Sequence, residues 1–175
     1  MNQYRRIFKS QQTGIATIKD LLQMMFVGEF LQLGNEIWIV SPWITNVVLI
    51  DNRSGNFDNL NPEWGRKEIR LIDVLFAFMI RGCVLNVVTR DVDINRPFIN
   101  GLNDISKSND LESQLKIVID ADLHTKGILL SESLLLGSMN FTYSGIELND
   151  EWVQFSIDKK EISETRLHFN LQYSG

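Results

Sequence analysis

The sequence predicts a single α/β domain in which a central mixed β-sheet carries helices on both faces. The 175-residue chain is 44% hydrophobic, which is enough to bury one ordinary core. Apolar residues recur at helical spacing in several segments, and short apolar runs typical of buried strands lie between them. Strands interleaved with helices are typical of a sheet covered on two sides. There is no linker or internal repeat, so we expect residues 1–175 to form one domain.

Helical spacing predicts four helices. They cover residues 15–30, 64–80, about 96–108 and 159–173. Gly34 and Gly82 are stop signals for the first two, and Asn95 is the predicted N-cap of the third. In the last helix we expect His168 to be a half-buried packing residue.

Apolar or alternating runs predict the strands. They cover residues 36–41, 84–89, 115–119, 128–130, 134–136 and 152–157, and a further apolar run at 47–50 leads into a long loop over 51–62. Only Ser131-Glu132-Ser133 separates 128–130 from 134–136, which predicts a hairpin. Trp38 and Trp152 alternate with apolar neighbours and are expected in the core, with Cys83 as an inert buried thiol.

The charge balance restricts how the chain could hold an anion. The net charge is −5, and the acidic excess lies in residues 100–175, so a long duplex is not expected to be held by bulk electrostatics. An anionic ligand would therefore have to be bound by a few side chains at one place. One cysteine excludes an intramolecular disulfide, and two histidines leave little for a zinc site, so no metal or other cofactor is expected. Without a leader-like start or a run of roughly 20 apolar residues, we expect a cytoplasmic protein with no membrane association.

The residues that carry chemistry lie in 123–151. On a strand, His124 and Lys126 would point to the same face, and the predicted hairpin would fold Ser138 and Asn140 back beside them. An imidazole, an ammonium, a hydroxyl and a carboxamide together suit a phosphodiester, whose non-bridging oxygens Lys126 and Asn140 would hold. Taken alone, a histidine beside a lysine is usually an ordinary pair, and Ser138 could simply cap a short helix.

This pattern resembles the phospholipase D superfamily, whose signature is H-x-K, four residues, Asp, and then G-S-x-N. His124, Lys126, Gly137, Ser138 and Asn140 fall on it, and the segment up to Glu151 looks most like the single-copy bacterial endonucleases of the family. The resemblance implies a phospholipase D-like fold. Two departures are that Ser131 occupies the position of the signature aspartate and that the following segment is one residue shorter. Glu132 is a candidate to replace that carboxylate.

The resemblance implies a metal-independent phosphodiesterase that acts through a phosphohistidine. His124 would attack phosphorus and a second histidine would protonate the leaving oxygen. Because the chain has one motif, a homodimer would supply the second copy, with Glu151 orienting an imidazole. Ser41, Trp43 and Gly137 are the candidate substrate contacts, and nucleic acid is the expected substrate, with DNA favoured over RNA.

Two alternatives stay open at this point: a phospholipid hydrolase, and a non-cleaving subunit that binds nucleic acid or protein within a larger complex. The region of Ser41-Pro42-Trp43 and Asp51-Asn52-Arg53-Ser54-Gly55 looks like that of members encoded with bacterial DNA-restriction and phage-defence systems, whose other proteins would then be partners. A candidate basic patch consists of Arg53, Arg66, Lys67 and Arg70, although interleaved glutamates favour a solvated, ion-paired surface equally.

Overall fold

A computed structural model describes residues 4–10 and 13–173. Within these residues the chain forms nine strands and four α-helices. The strands are β1 Tyr4–Lys9, β2 Glu36–Val40, β3 Val48–Asp51, β4 Glu68–Arg70, β5 Val84–Thr89, β6 Leu115–Ile119, β7 Gly127–Leu129, β8 Leu134–Gly137 and β9 Glu151–Ser156. The helices are α1 Ile15–Leu31, α2 Leu71–Ile80, α3 Arg96–Ser108 and α4 Lys159–Tyr173.

Seven of these strands form one mixed sheet in the order β1-β9-β8-β7-β2-β5-β6. β2, β5 and β6 are parallel, whereas β7 pairs antiparallel with β2 and the antiparallel half continues through β8 and β9 to β1. β3 and β4 form a separate two-stranded sheet. The predicted α/β class with a mixed sheet is confirmed, and the predicted hairpin is the β7–β8 pair.

Helices cover both faces of the sheet. One face, which includes Ile37 and Ile39 of β2, packs with buried side chains of α1, α2 and α3 in the larger core. The other face, which includes Trp38 and Val40, packs with α4 in a smaller core. All four side chains are at most 1% exposed, because a central strand between two helical layers has no face toward solvent.

The second helix is shorter than its apolar spacing predicts. Instead of beginning at residue 64 it begins at Leu71, because residues 68–70 pair with β3 as a strand. Two side chains fix the start of α2. Asp73 accepts a hydrogen bond from the Arg70 amide at 2.8 Å, and Asn46 accepts one from the Ile72 amide at 2.9 Å. A tertiary strand pairing therefore overrides the helical periodicity in this segment.

Two sequence expectations about burial are wrong. Trp152 is 42% exposed rather than in the core, because α4 packs over β7 and its neighbours and leaves this face of β9 and β1 open. Its partner across the ladder, Phe8, is 73% exposed on the same open face. His168 is exposed on α4, while the adjacent Phe169 enters the core against Trp38 at a ring-centroid distance of 5.8 Å. β1 itself was not predicted, since only two of its side chains are buried.

The end of the β7–β8 hairpin is held by a buried carboxylate from α1. Glu29 is 4% exposed and accepts hydrogen bonds from the Ser131 hydroxyl at 2.6 Å, the Ser131 amide at 2.8 Å and the Gly34 amide at 3.1 Å. A Cβ at Gly34 would lie 2.0 Å from the Ser131 hydroxyl oxygen, so only glycine allows this approach. Glu132 is exposed. The carboxylate next to Ser131 therefore comes from Glu29 rather than from Glu132.

Replacement of Glu29 by Ala should lower the free energy of unfolding by about 3 kcal/mol, because two buried amides and a hydroxyl lose their acceptor. Glu132→Ala, on the exposed side of the same turn, should change it by less than about 0.5 kcal/mol. Urea unfolding of both variants measures the difference. Equal effects of the two substitutions would contradict the assignment of the anchoring carboxylate to Glu29.

Cys83 is 1% exposed in the larger core, and its burial raises the pKa of the thiol to about 12. The thiolate is the reactive form of cysteine, so the native thiol should be inert at neutral pH.

A thiol reagent such as dithionitrobenzoate should therefore label no cysteine in the native protein at pH 8 and label one per chain in denaturant. The absorbance of the released thiolate measures both values. Rapid labelling of the native protein would show that the core around Cys83 opens.

Candidate functional site

The site candidates gather at one edge of the sheet. The parallel strands β2, β5 and β6 end at this edge, and β7 begins there because Gly127 pairs with Val40, the last residue of β2. β8 ends at the same edge and β9 begins there, since Gly137 pairs with Val153. Loops from both halves of the sheet therefore meet at one place, which is where ligand sites of open α/β sheets commonly lie.

His124 and Lys126 precede β7 instead of lying on it, contrary to the sequence prediction. The strand begins only at Gly127 because the pairing with β2 begins there. His124 is exposed, and its ring nitrogens make no hydrogen bond to any residue in 4–10 or 13–173. The ammonium of half-buried Lys126 donates to the carbonyl oxygen of His124 at 2.9 Å. The two residues are thus adjacent, with the imidazole available to a ligand or partner.

Ser138 is tied to Glu151. Its hydroxyl donates to a carboxylate oxygen of Glu151 and accepts from the Trp152 amide at 3.0 Å, while the Ser138 amide donates to the Trp152 carbonyl at 3.0 Å. Asn149 donates to the other Glu151 oxygen at 3.5 Å. These contacts join the end of β8 to the start of β9. The candidate hydroxyl and carboxylate therefore form one hydrogen-bonded unit.

Ser138 does not cap a helix, because its hydroxyl is bonded to Glu151 and Trp152. The Thr142 hydroxyl accepts a hydrogen bond from the Gly145 amide at 3.1 Å, next to a short helical turn over Ser144–Leu148.

Gly137 is required by packing, because a Cβ there would lie 2.2 Å from the Trp152 carbonyl oxygen. Glycine at this position therefore allows β8 and β9 to approach closely.

Asn140 presents an amide oxygen without a protein partner. The Oδ1 atom is buried and makes no hydrogen bond within the described part of the chain. Such an oxygen typically costs about 1–3 kcal/mol unless a water or a ligand donates to it. Because Oδ1 can only accept hydrogen bonds, a phosphate oxygen would have to be held by the Nδ2 group of this side chain.

Ser41 and Trp43 lie in the loop that follows β2. This loop is hydrogen-bonded to the motif segment at Phe141. The Ser41 hydroxyl donates to the Trp43 carbonyl at 2.7 Å and accepts from the Phe141 amide at 3.1 Å. Thr45 donates to the Phe141 carbonyl at 2.9 Å. Ser41 is 2% exposed, so its hydroxyl lies in the scaffold beneath the site, whereas Trp43 is 42% exposed. Ser41 also lines a cavity of about 10 Å³ with Lys126 and Gly137.

Asn95 occupies the N-cap position of α3, as predicted, but its side chain supports the loop after β2 instead of capping the helix. Its side chain makes no cap hydrogen bond to α3. It accepts from the Ile44 amide at 2.8 Å and lies 2.8 Å from both the Pro42 carbonyl and the Thr89 hydroxyl. Asn95 is fully buried, so it fixes the loop after β2 against the end of β5. No sequence signal separates this role from that of an N-cap, because asparagine suits both.

Three of the four cations of the candidate basic patch form ion pairs. Arg53 contacts Asp51 at 2.6 Å and holds the pKa of that carboxyl at about 2. The other contacts of the patch are Arg53–Glu68, Arg66–Asp58 and Lys67–Asp73. The ion-paired interpretation of this surface is therefore the appropriate one for these three cations. Among the described residues, no group of three or more His, Cys, Asp or Glu side chains could hold a metal ion.

Comparison with known proteins agrees with this geometry. The family model described as "Cardiolipin synthase, PLD-like domain" matches residues 36–172. Among curated proteins, no match is found. No helix in residues 4–10 and 13–173 is long and apolar enough to cross a membrane.

Three solved structures show the likeness of fold. Nuc, a phospholipase D family member from Salmonella typhimurium, aligns with a TM-score of 0.56 and 16% identity over 94% of this chain and 89% of its own. NucT from Helicobacter pylori aligns with a TM-score of 0.57 and 12% identity over 95% and 94%. TrmBL2, an archaeal chromatin protein whose structure shows a novel mode of DNA binding, aligns with a TM-score of 0.52 and 12% identity over 97% and 51%. The family match and the fold together place this chain in the phospholipase D superfamily.

Proposed function

We propose that the chain is a nuclease that cleaves nucleic acid, with DNA favoured over RNA, at a site shared between two copies of the chain. The observation that carries this proposal is the meeting of the motif side chains at one sheet edge. The β7–β8 hairpin and β9 bring the segment of His124 and Lys126 to the same edge as Asn140 and the Ser138–Glu151 pair. Phosphodiester chemistry uses a nucleophile, a cation and hydrogen-bond donors in this combination.

The reaction proceeds in two displacements. A ring nitrogen of His124 attacks phosphorus, the P–N bond forms, and the P–O bond to the leaving strand breaks as that oxygen takes a proton from a second imidazole. Water then attacks phosphorus, gives its proton back to the second imidazole and releases His124. Lys126 and Asn140 stabilise the charge on the non-bridging oxygens. Each step needs two histidines.

A second copy of the chain supplies the second imidazole. His168 lies on α4 near Arg166, which bonds to the Leu130 carbonyl at the end of β7 away from the site, so one chain provides one histidine to the site. The unpartnered imidazole of His124 and the exposed apolar side chains on this edge support a contact with another protein surface. These apolar residues are Phe8, Trp43, Tyr143, Leu148 and Trp152. In the pair, Glu151 orients an imidazole and stabilises its protonated form.

The second candidate is a non-cleaving binding subunit, which the loss of the signature aspartate at Ser131 favours. The buried carboxylate of Glu29 weighs against it, because the hairpin that carries the motif is still anchored at that point. A role in DNA restriction or phage defence, with other proteins of such a system as partners, is part of the proposal and rests on the resemblance of residues 41–55.

His124→Ala should lower cleavage of supercoiled plasmid in EDTA by roughly 10³-fold or more, because the nucleophile is lost. Gel analysis of nicked and linear products over time measures the rate. His168→Ala, the chain's other histidine, is the matched control and should retain the wild-type rate.

Cleavage retained by His124→Ala would exclude the phosphohistidine route. Binding of DNA by the wild type without cleavage would favour the second candidate. Headgroup release from phospholipid vesicles, with no cleavage of plasmid, would assign the site to a lipid substrate instead.

Mixed refolding of wild-type and His124→Ala chains should give activity that falls with the square of the wild-type fraction, to about a quarter at equal amounts, because each site needs both imidazoles. The solution mass should be twice the 20.2 kDa of one chain. A linear fall to about half, or an active species of 20.2 kDa, would show that one chain works alone.

A further inference from the structure

Lys9 is a buried lysine directly across the sheet ladder from Glu151. It is the last residue of β1, and its Cα is paired in register with that of Glu151 in the antiparallel β1–β9 ladder. Paired residues of such a ladder project from the same face. Ile7 and Val153, two positions farther along each strand, show that this is the face of the larger core, toward α1. The Lys9 side chain therefore lies on the core side of the segment that carries Glu151.

The chain closes tightly over Lys9. Gly14 has φ of +85°, and a Cβ there would lie 3.0 Å from the Phe8 carbonyl oxygen and 3.2 Å from the Lys9 Cα. Lys9 is 3% exposed, and its Nζ atom is buried without a hydrogen-bond partner among the residues described. Few lysines are buried to this extent unless they are paired.

Three carboxylates attract this ammonium electrostatically. They belong to Glu151, Asp150 and Glu147, all within the segment 147–151 that leads into β9. Burial lowers the pKa of Lys9 below its usual value of 10.5, and the three carboxylates act in the opposite direction without cancelling that effect. A buried charge with no hydrogen bond is unfavourable for folding. The position of Lys9 thus points to a task other than stability.

We propose that Lys9 is a positioning residue of the site, whose buried ammonium holds segment 147–151 in place and so keeps Glu151 beside Ser138. The proposal rests on the role of Glu151 in the proposed function. Lys19 contacts the same segment from outside, since it pairs with Glu147 at 2.7 Å with 47% of its own side chain exposed. Lys9 differs because it is buried and lies across from Glu151 itself.

Lys9→Met tests the proposal, since methionine keeps the length and removes the charge. Hydrogen exchange of the 147–152 amides should become roughly 10-fold faster. The melting temperature at pH 7 should not fall below that of the wild type, because a buried charge is removed. The gain in melting temperature over the wild type should shrink as the pH rises toward and above 10.5, because Lys9 is then losing its proton in the unfolded state as well as in the folded state. In plasmid cleavage, kcat should fall about 10- to 100-fold with KM nearly unchanged.

Lys9→Arg, which retains the charge, should recover most of the exchange protection and of kcat. Lys19→Met is the matched control and should leave kcat within about twofold, because an exposed pair contributes little. Unchanged exchange at 147–152 in Lys9→Met, or a lower melting temperature with faster exchange throughout the sheet, would overturn the proposal. If the wild type cleaves no nucleic acid, the proposed function fails, and the exchange data still decide whether Lys9 positions Glu151.

Discussion

The antiparallel pairing of β7 with β2 is the constraint on which the site depends. β2 is parallel to β5, and a parallel continuation on its other side would have sent the next strand's start to the opposite edge. Because Gly127 pairs with Val40, the residues before β7 instead meet the loop that follows β2. The hairpin returns β8 to the same edge. His124 and Ser138, 14 positions apart in the sequence, thereby share one end of the sheet.

Buried polar side chains maintain this arrangement. Glu29 satisfies the end of the hairpin away from the site, and Asn95 satisfies the loops after β2 and β5. Both side chains are almost fully buried, and both make several hydrogen bonds. Buried polar groups with satisfied hydrogen bonds add specificity without a large loss of folding free energy. By contrast, Lys9 and Asn140 each bury an atom without a hydrogen-bond partner in the described chain. Both lie at the site edge, where incomplete satisfaction is consistent with a functional role rather than a structural one.

The net charge of −5 argues against binding of a long duplex but not against local binding of one phosphate group. Three basic residues of the candidate patch are paired with carboxylates, so that surface has little positive charge available for a nucleic acid backbone. The cation near the motif is Lys126, whose ammonium bonds only to the carbonyl of His124 among the described residues. Local contacts by such a cation and by the Asn140 amide suit one phosphate group better than a long duplex.

The sequence by itself determined the α/β class, the hairpin and the motif, because each is encoded by local periodicity or by spacing along the chain. Only the tertiary structure decided which periodic segments became strands, since residues 68–70 pair with β3 despite their helical spacing. Likewise, it left Trp152 exposed, because helix placement sets which strand faces are covered. The supporting roles of Glu29, Asn95 and Lys9 depend on contacts between residues far apart in the sequence. Their residue types alone carry no signal of those partners, and burial is what gives them their importance.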